Sequence, residues 1–449
     1  MDMARQGRVV PGPRPSGLRT AAETVEFFLL SPWLGGWRRF FERRRARHGD
    51  VFRVHLFEPA VALLDRRTMA VLFDAADLHQ DHGFGWARPP LALTGGAVPA
   101  VFLNGDEHRR WKALWLDLLR DAAPELRPRF DRATAEFFGR WRTMGAFGWR
   151  DELEGFAAAL LFEWLLGARP DLAAVRLVYR NIFDHLAPGL TRRFPRSLYA
   201  RSLRAYPALA AFAQAAPRFP RLAELAARRG LVDERALAHQ LLFLLGMNAY
   251  LGTQNLLKSV AGELGSRPEV RRALADELLA ARADGAPDLR ALDALPVLEA
   301  TVAETLRLHS PVSFIFGRAT EDRLLPSPAG PFAVRAGELL MGVLPFAQLD
   351  ARDFAEPGRF DLHRYRGTDA ASRLVWPRGR PDRPATADDR TCPGKDAART
   401  IAKLFAAELT EWDWRWEEPV RWSDRRFGLN AAAPAGAMPV SGFRPRAAA

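Results

Sequence analysis

Apolar positions recur every three to four residues through most of residues 105–310, in runs broken by Pro and Gly at 123–128, 187–189 and 216–220. That spacing predicts a series of core-facing helices with turns between them. Upstream, "TAAETVEFFLL" and "GGWRRFFERRRARHGD" predict two short amphipathic helices, the second ending at Gly49. Residues 51–66, "VFRVHLFEPAVALLDR", are β-branched and roughly alternating, which predicts a hairpin with its turn at Glu58-Pro59. From 314 onward, short apolar runs such as "PFAVRAGELLMGVLPFA" alternate with turn residues, and a Pro/Arg/Asp-rich segment, 377–391, leads to Cys392 and one last helix. No repeat at 20–50 residues is present. The pattern implies a mainly α fold with a smaller β-rich part, in which the N-terminal hairpin joins later strands. We expect a single domain over 1–449: a Pro/Gly-rich entry segment at 1–20, a β-rich part from 51–66 plus 314–345, and a helical body from 105–310 and 393–412.

Composition narrows the classes. With 449 residues, 48% hydrophobic and 26% charged, the chain can bury a large core. The net charge of +12 comes almost wholly from Arg, since Lys occurs only at 112, 258, 395 and 403, and the Arg residues are scattered among Asp and Glu. A solvated surface fits that scatter better than a nucleic-acid interface does, so no nucleic-acid partner is expected. No stretch approaches the roughly 20 uninterrupted apolar residues of a membrane span, and "MDMARQGRVVPGPRPSG" has no apolar run of the length a signal peptide needs, so neither is expected. The expectation is a cytoplasmic protein, with peripheral membrane contact through the Arg-rich surface as a secondary one. A single cysteine, Cys392, excludes an internal disulfide and a zinc site built on several thiolates.

Three stretches carry candidate chemistry. In "PVLEATVAETLRLHSP", a helix punctuated by Pro296 and Pro311, Glu304 and Arg307 lie three apart and share a face. Alone, such a pair reads as ordinary surface charge. In "DDRTCPGKDAARTIAKLFAAEL", Cys392 precedes Pro-Gly and a helix start, so the dipole, the amides freed by Gly394 and the Arg390 cation should lower the thiol pKa. The competing reading is a buried inert cysteine. In "LLFLLGMNAYLGTQNLLK", residues 241–258, Asn248 interrupts a long apolar helix and no acid stands near it. A buried amide bridging helices is the alternative there.

Taken jointly, Glu304 to Arg307, then "FGRATED" at 316–322, then Cys392-Pro-Gly394 some 85 residues after the pair, resemble the haem-thiolate cytochrome P450 superfamily. The resemblance implies that family's fold, with haem b (iron protoporphyrin IX) between the long central helix and the Cys loop. Cys392 would be the axial iron ligand, Gly394 would belong to the cofactor loop, and the Glu304–Arg307 pair would lock the core. His108 and Lys112, four apart in "GDEHRRWKALW", would meet the haem propionates together with Arg318 and Arg390; His79 falls where relatives carry a Lys for the same task. Two departures from ordinary monooxygenases stand out. The aromatic and the Gly usual before the Cys are replaced by Ala385 and Asp388, and the acid before Thr253 is replaced by Gly252. Proton delivery for O2 cleavage therefore looks impaired.

Both departures match the fatty-acid hydroperoxide branch, allied to plant allene oxide synthase, hydroperoxide lyase and divinyl ether synthase. That branch is similar in "LLFLLGMNAYLG", with Asn248 at the catalytic amide, and in "LALTGG" at 91–96. "VSFIFGRA" at 312–319, "PFAQLDARDFAEPGRF" at 345–360 and the loop from Trp376 to Cys392 agree as well. The implied activity is rearrangement of polyunsaturated fatty acid hydroperoxides by homolytic O–O cleavage, without O2, NAD(P)H or a redox partner. Allene oxide, hemiacetal or aldehyde, and epoxy alcohol are the open products. The branch sets the product by a residue that falls at Gly83, beside Phe84 and Trp86, and the pocket would be completed by Val312, Phe314, Phe316 and the turn at Leu429. The alternatives are a reductase-dependent monooxygenase or peroxygenase, and a non-enzymatic haem- or lipid-binding protein.

Overall fold

The computed structural model describes residues 17–30, 36–56, 58–74, 78–80, 96–180, 194–281, 289–327, 330–375, 383–423 and 433–446. Helices dominate. The described strands are Val51–Leu56 (β1), Glu58–Leu63 (β2), Leu78–Gln80 (β3), Ala146–Gly148 (β4), Phe314–Ala319 (β5) and Arg323–Leu325 (β6). Six more follow: Phe332–Val334 (β7), Leu339–Val343 (β8), Trp412–Trp416 (β9), Arg421–Ser423 (β10), Ala433–Ala435 (β11) and Pro439–Pro445 (β12).

The main sheet has the order β1-β2-β8-β5-β3. β2 runs parallel to β8, with Ala60 opposite Leu339, so the N-terminal hairpin is completed by strands some 280 residues away. Side chains alternate across this sheet. Phe52, Val54 and Leu56 pack with Phe27, Trp37, Phe40 and Phe41 of the N-terminal helices, while Val51, Val61 and Leu63 pack on the other side with Met69, Leu72 and Ile315. The expected turn at Glu58-Pro59 is displaced: both are strand residues, opposite Leu56 and His55. Pro59 precedes the first β2–β8 pair, so its missing N–H disturbs no ladder on that side.

The helical body buries one large core drawn from Ala100 to Phe443. Helix Leu126–Met144 stops where Gly145 takes φ +65°, and β4 then pairs with β12, a short strand inside the mostly helical stretch and not one of its expected breaks. The long central helix begins at Asp233, whose carboxylate accepts from the Arg235 and Ala236 amides. It runs as Glu234–Leu242, a π-helical segment Phe243–Tyr250, and Leu251–Ser266. No described helix is long and apolar enough to cross a membrane.

Candidate active site

The helix Pro296–Leu308 carries Glu304 and Arg307 into the interior, where both side chains are fully buried. Arg307 grips Glu304 with two N–H donors, Nε to Oε1 at 2.7 Å and Nη2 to Oε2 at 2.8 Å. The carboxylate also accepts from Arg364 Nε at 3.1 Å, the Tyr365 hydroxyl at 2.9 Å and the Asp361 amide at 3.0 Å. Arg307 spends its remaining donors on the carbonyls of Gln348, Pro357 and Arg359. A pair that reads as surface charge in isolation is thus the hub fastening 348–365 to the helical body, and its bidentate, fully answered geometry suits a buried charge.

On the central helix, Tyr179 lies across Gly246, where a Cβ would come within 1.9 Å of its ring, and its hydroxyl donates to the Leu242 carbonyl at 2.8 Å. The helix is π-wound beneath it. A π segment of this kind is rare and concentrates at functional sites. Within it Asn248 is exposed, although Met247 is 5% and Tyr250 0% exposed. Thr253 is buried, and Gly252 before it has no protein atom within 4 Å of where a Cβ would stand.

Cys392 sits half-buried just before the helix Lys395–Leu409, and the Gly394 amide donates to its sulfur. The expected lowering of its pKa is not what the structure gives. Burial pushes the Cys392 thiol up; the Gly394 amide and the Lys112 and Lys395 cations act the other way without reversing it, and Asp396 adds to the rise. Lys112 is buried and its ammonium closes on Asp389, on both the carboxylate and the carbonyl. Asp389 organises the loop: it also accepts from the Thr391 amide at 2.8 Å and from the Thr386 amide and hydroxyl, each at 2.9 Å. His108 turns Nδ1 to the Ala100 carbonyl and Nε2 to the Asp389 carbonyl. Burial first, then the Arg390 charge, lowers its pKa to about 4, so it is neutral near pH 7.

Arg390 donates to the Leu103 carbonyl at 2.8 Å and to Asn104 Oδ1 at 2.6 Å, and burial lowers its pKa to about 10. Segment 98–104 is a bridge. On its other side Gln240 of the central helix accepts from the Ala100 amide and donates to the Val98 carbonyl, both at 2.7 Å, while Phe102 meets Phe243 with ring centroids 6.1 Å apart. The Cys loop and the helix bearing Asn248 are therefore tied through one segment. Asp389, Asn104 and Gln240 escaped the sequence reading. Asn104 offered a signal, since it stands at an N-cap position, yet its side chain serves Arg390 and Gln80 instead of the helix.

Other expected residues lie elsewhere. Arg318 on β5 pairs with Glu58 at 3.1 Å and donates to the Gly337 carbonyl at 2.9 Å. His79 is exposed on β3, opposite Arg318. Phe314 was expected in the pocket, but its ring is in the N-terminal core, 5.0 Å from Trp37 and 6.1 Å from Phe41 between centroids. Strand alternation turns it toward the helices. Phe316 and Val312 are partly buried at the edges of that core and of the core on the opposite face. Gly83, Phe84, Trp86 and Leu429 fall outside the described residues.

A family model described as cytochrome P450 matches residues 242–412. Allene oxide synthase 1, chloroplastic, of Oryza sativa subsp. japonica is 30% identical over 445 residues, covering 90% of this chain and 85% of the relative. The chain belongs to the cytochrome P450 family. A divinyl ether synthase of Selaginella moellendorffii is 29% identical over 428 residues, 84% of this chain and 85% of its own, and the P450 accordingly sits on the fatty-acid hydroperoxide branch. The fold agrees with that of a solved retinoic acid-bound cyanobacterial CYP120A1, with a TM-score of 0.75 at 18% identity over 94% of this chain and 96% of the other.

The family implies a haem, and this P450 suits one. Cys392 offers a single soft donor, half-buried, with an amide on its sulfur. Gly394, two residues after the sulfur, has no protein neighbour within 4 Å of where a Cβ would stand, as close approach of a flat group demands. Among the described residues no group of His, Cys, Asp and Glu competes for a metal ion.

Proposed function

We propose that this P450 rearranges polyunsaturated fatty acid hydroperoxides by homolytic O–O cleavage, on haem b held by Cys392, without O2, NAD(P)H or a redox partner. The observation that carries the reading is Asn248: an exposed amide between the buried Met247 and Tyr250 on a mostly buried helix, followed by Gly252 where an acid would serve O2 activation. A thiolate-bound haem supplies one-electron cleavage of a peroxide bond. The chain's part is to hold, orient and keep dry. Asn248 can donate to a peroxide oxygen and accept from its O–H, and it does not titrate near neutrality, so it positions the substrate without supplying a strong acid. Lys112, Asp389 and Arg390 keep the Cys392 loop in register with segment 98–104. Relatives named allene oxide synthase and divinyl ether synthase support dehydration of the hydroperoxide, in which water leaves and no external electron enters.

Purified haem protein should consume a C18 polyunsaturated hydroperoxide with no reductant, the product being read by mass spectrometry. Asn248→Ala should keep its haem spectrum and lose roughly 100-fold in kcat, as removal of one preorganised donor does. Turnover that begins only when reductase, NADPH and O2 are added would refute the reading.

A further inference from the structure

A glycine inside a helix costs about 1 kcal/mol relative to alanine, so each one on the central helix needs a physical reason. Gly246, Gly262 and Gly265 have one: a Cβ would come 1.9 Å from Tyr179, 2.9 Å from Trp422 and 2.3 Å from Trp414 respectively. Gly252 has no such neighbour within 4 Å. Gly252 itself is partly buried, at the edge of a run from Thr253 to Leu264 in which every residue is buried. Asn248 stands four residues before it and the partly buried Leu244 four before that, close to one turn apart in both the π-wound and the α-wound parts, so leucine, amide and bare backbone lie along one side of the helix. Ala249 and Leu251, also partly buried, border the stripe with apolar surface.

We propose that Gly252 is a specificity-determining residue whose bare backbone admits the acyl chain of a long-chain hydroperoxide beside Asn248. The inference rests on the reading of Asn248 as the peroxide-holding amide. An acyl chain lying along Leu244, Ala249 and Leu251 buries its CH2 groups against apolar neighbours, while the peroxide meets the single amide of the stripe. A larger side chain at 252 fills the volume the chain needs and leaves the amide and the thiol in place.

The test uses Gly252→Ala and Gly252→Leu holoenzymes, with haem content measured first by absorbance. One readout is the Kd of a C18 hydroxy fatty acid, an analogue with no peroxide bond, followed through the haem absorption change. The other is kcat/KM for a C18 hydroperoxide relative to tert-butyl hydroperoxide, which has no acyl chain. Gly252→Leu should raise the Kd and lower the ratio by roughly ten-fold or more, the scale on which added methylenes discriminate in apolar pockets. Gly252→Ala should move both in the same direction by about two-fold, and it decides the matter if the leucine variant does not fold. Loss of haem from the folded variants would mean that the glycine serves the cofactor, and an unchanged Kd and ratio would mean that it serves nothing; either result overturns the proposal. Failure of the Asn248 reading looks different: wild-type protein then consumes neither peroxide without reductant, and the hydroxy acid Kd still reports on Gly252.

Discussion

Two polar clusters, one around Glu304 and one around Cys392, solve opposite problems. Around Glu304 the protein supplies every partner: two guanidinium groups, a phenol and an amide on the carboxylate, and three carbonyls on Arg307, all with the pair fully buried. Around Cys392 the cations are tied down, Lys112 to Asp389 and Arg390 to Leu103 and Asn104, but the sulfur stays half-buried and the Gly394 backbone is open. The first cluster is a closed lock, and the second is a seat left for a ligand. Breaking the lock should therefore cost most. Glu304→Ala strands Arg307 and Arg364 as buried charges, and we expect a loss of about 3–5 kcal/mol in urea unfolding, with little soluble haem protein recovered. A loss below 1 kcal/mol would remove the distinction between the clusters.

The seat should answer to acid. His108 has an ordinary pKa of 6.5 when unfolded and about 4 in the fold, because burial and the Arg390 charge disfavour its protonated form. Below pH 6.5 the unfolded chain binds the proton that the fold resists, so stability falls as pH drops from 6.5 toward 4 and this group contributes no further slope below that. The loss approaches about 3 kcal/mol as an upper bound, at 1.36 kcal/mol per unit. His108→Asn should flatten urea midpoints across this window. A slope that persists unchanged in the variant assigns the acid sensitivity to other groups.

These clusters also mark where the sequence could be read. The Glu304–Arg307 pair was legible because its spacing lies beside helix punctuation, and the hairpin at 51–66 showed in its alternation. Asp389 was not. In "ADDR" it reads as one more charge on a Pro/Arg/Asp-rich loop, and only the fold brings Lys112, 277 residues away, onto it. The π winding at Phe243–Tyr250 left no mark in an apolar run whose helical period is ambiguous, and β4 is too short to alternate. The thiol pKa was misjudged because dipole and cations are visible in sequence whereas desolvation depends on what packs around the sulfur. Phe314 was placed in the pocket by the family resemblance, and strand alternation alone does not say which of its two faces meets the N-terminal helices, where the ring lies.

The contrast between closed and open surfaces recurs on the central helix at a scale of single methyl groups. Gly265 lies under Trp414 and Trp416, each with an atom 2.3 Å from where a Cβ would be, and two indoles held by β9 cannot both retreat. Gly265→Ala should therefore lose about 1–3 kcal/mol through overpacking. Gly252→Ala is the same change with open space around it and should gain about 0.5–1 kcal/mol, because alanine restricts the unfolded chain and suits the helix better. The sites are 13 residues apart on one helix, roughly 20 Å, so the double variant should show the sum of the two within about 0.5 kcal/mol. Urea midpoints of the three proteins decide it. A stabilised Gly252→Ala that binds the C18 hydroxy acid less well would show that the glycine is retained for its ligand against the interest of the fold. A destabilised one would put Gly252 in the closed class with Gly265.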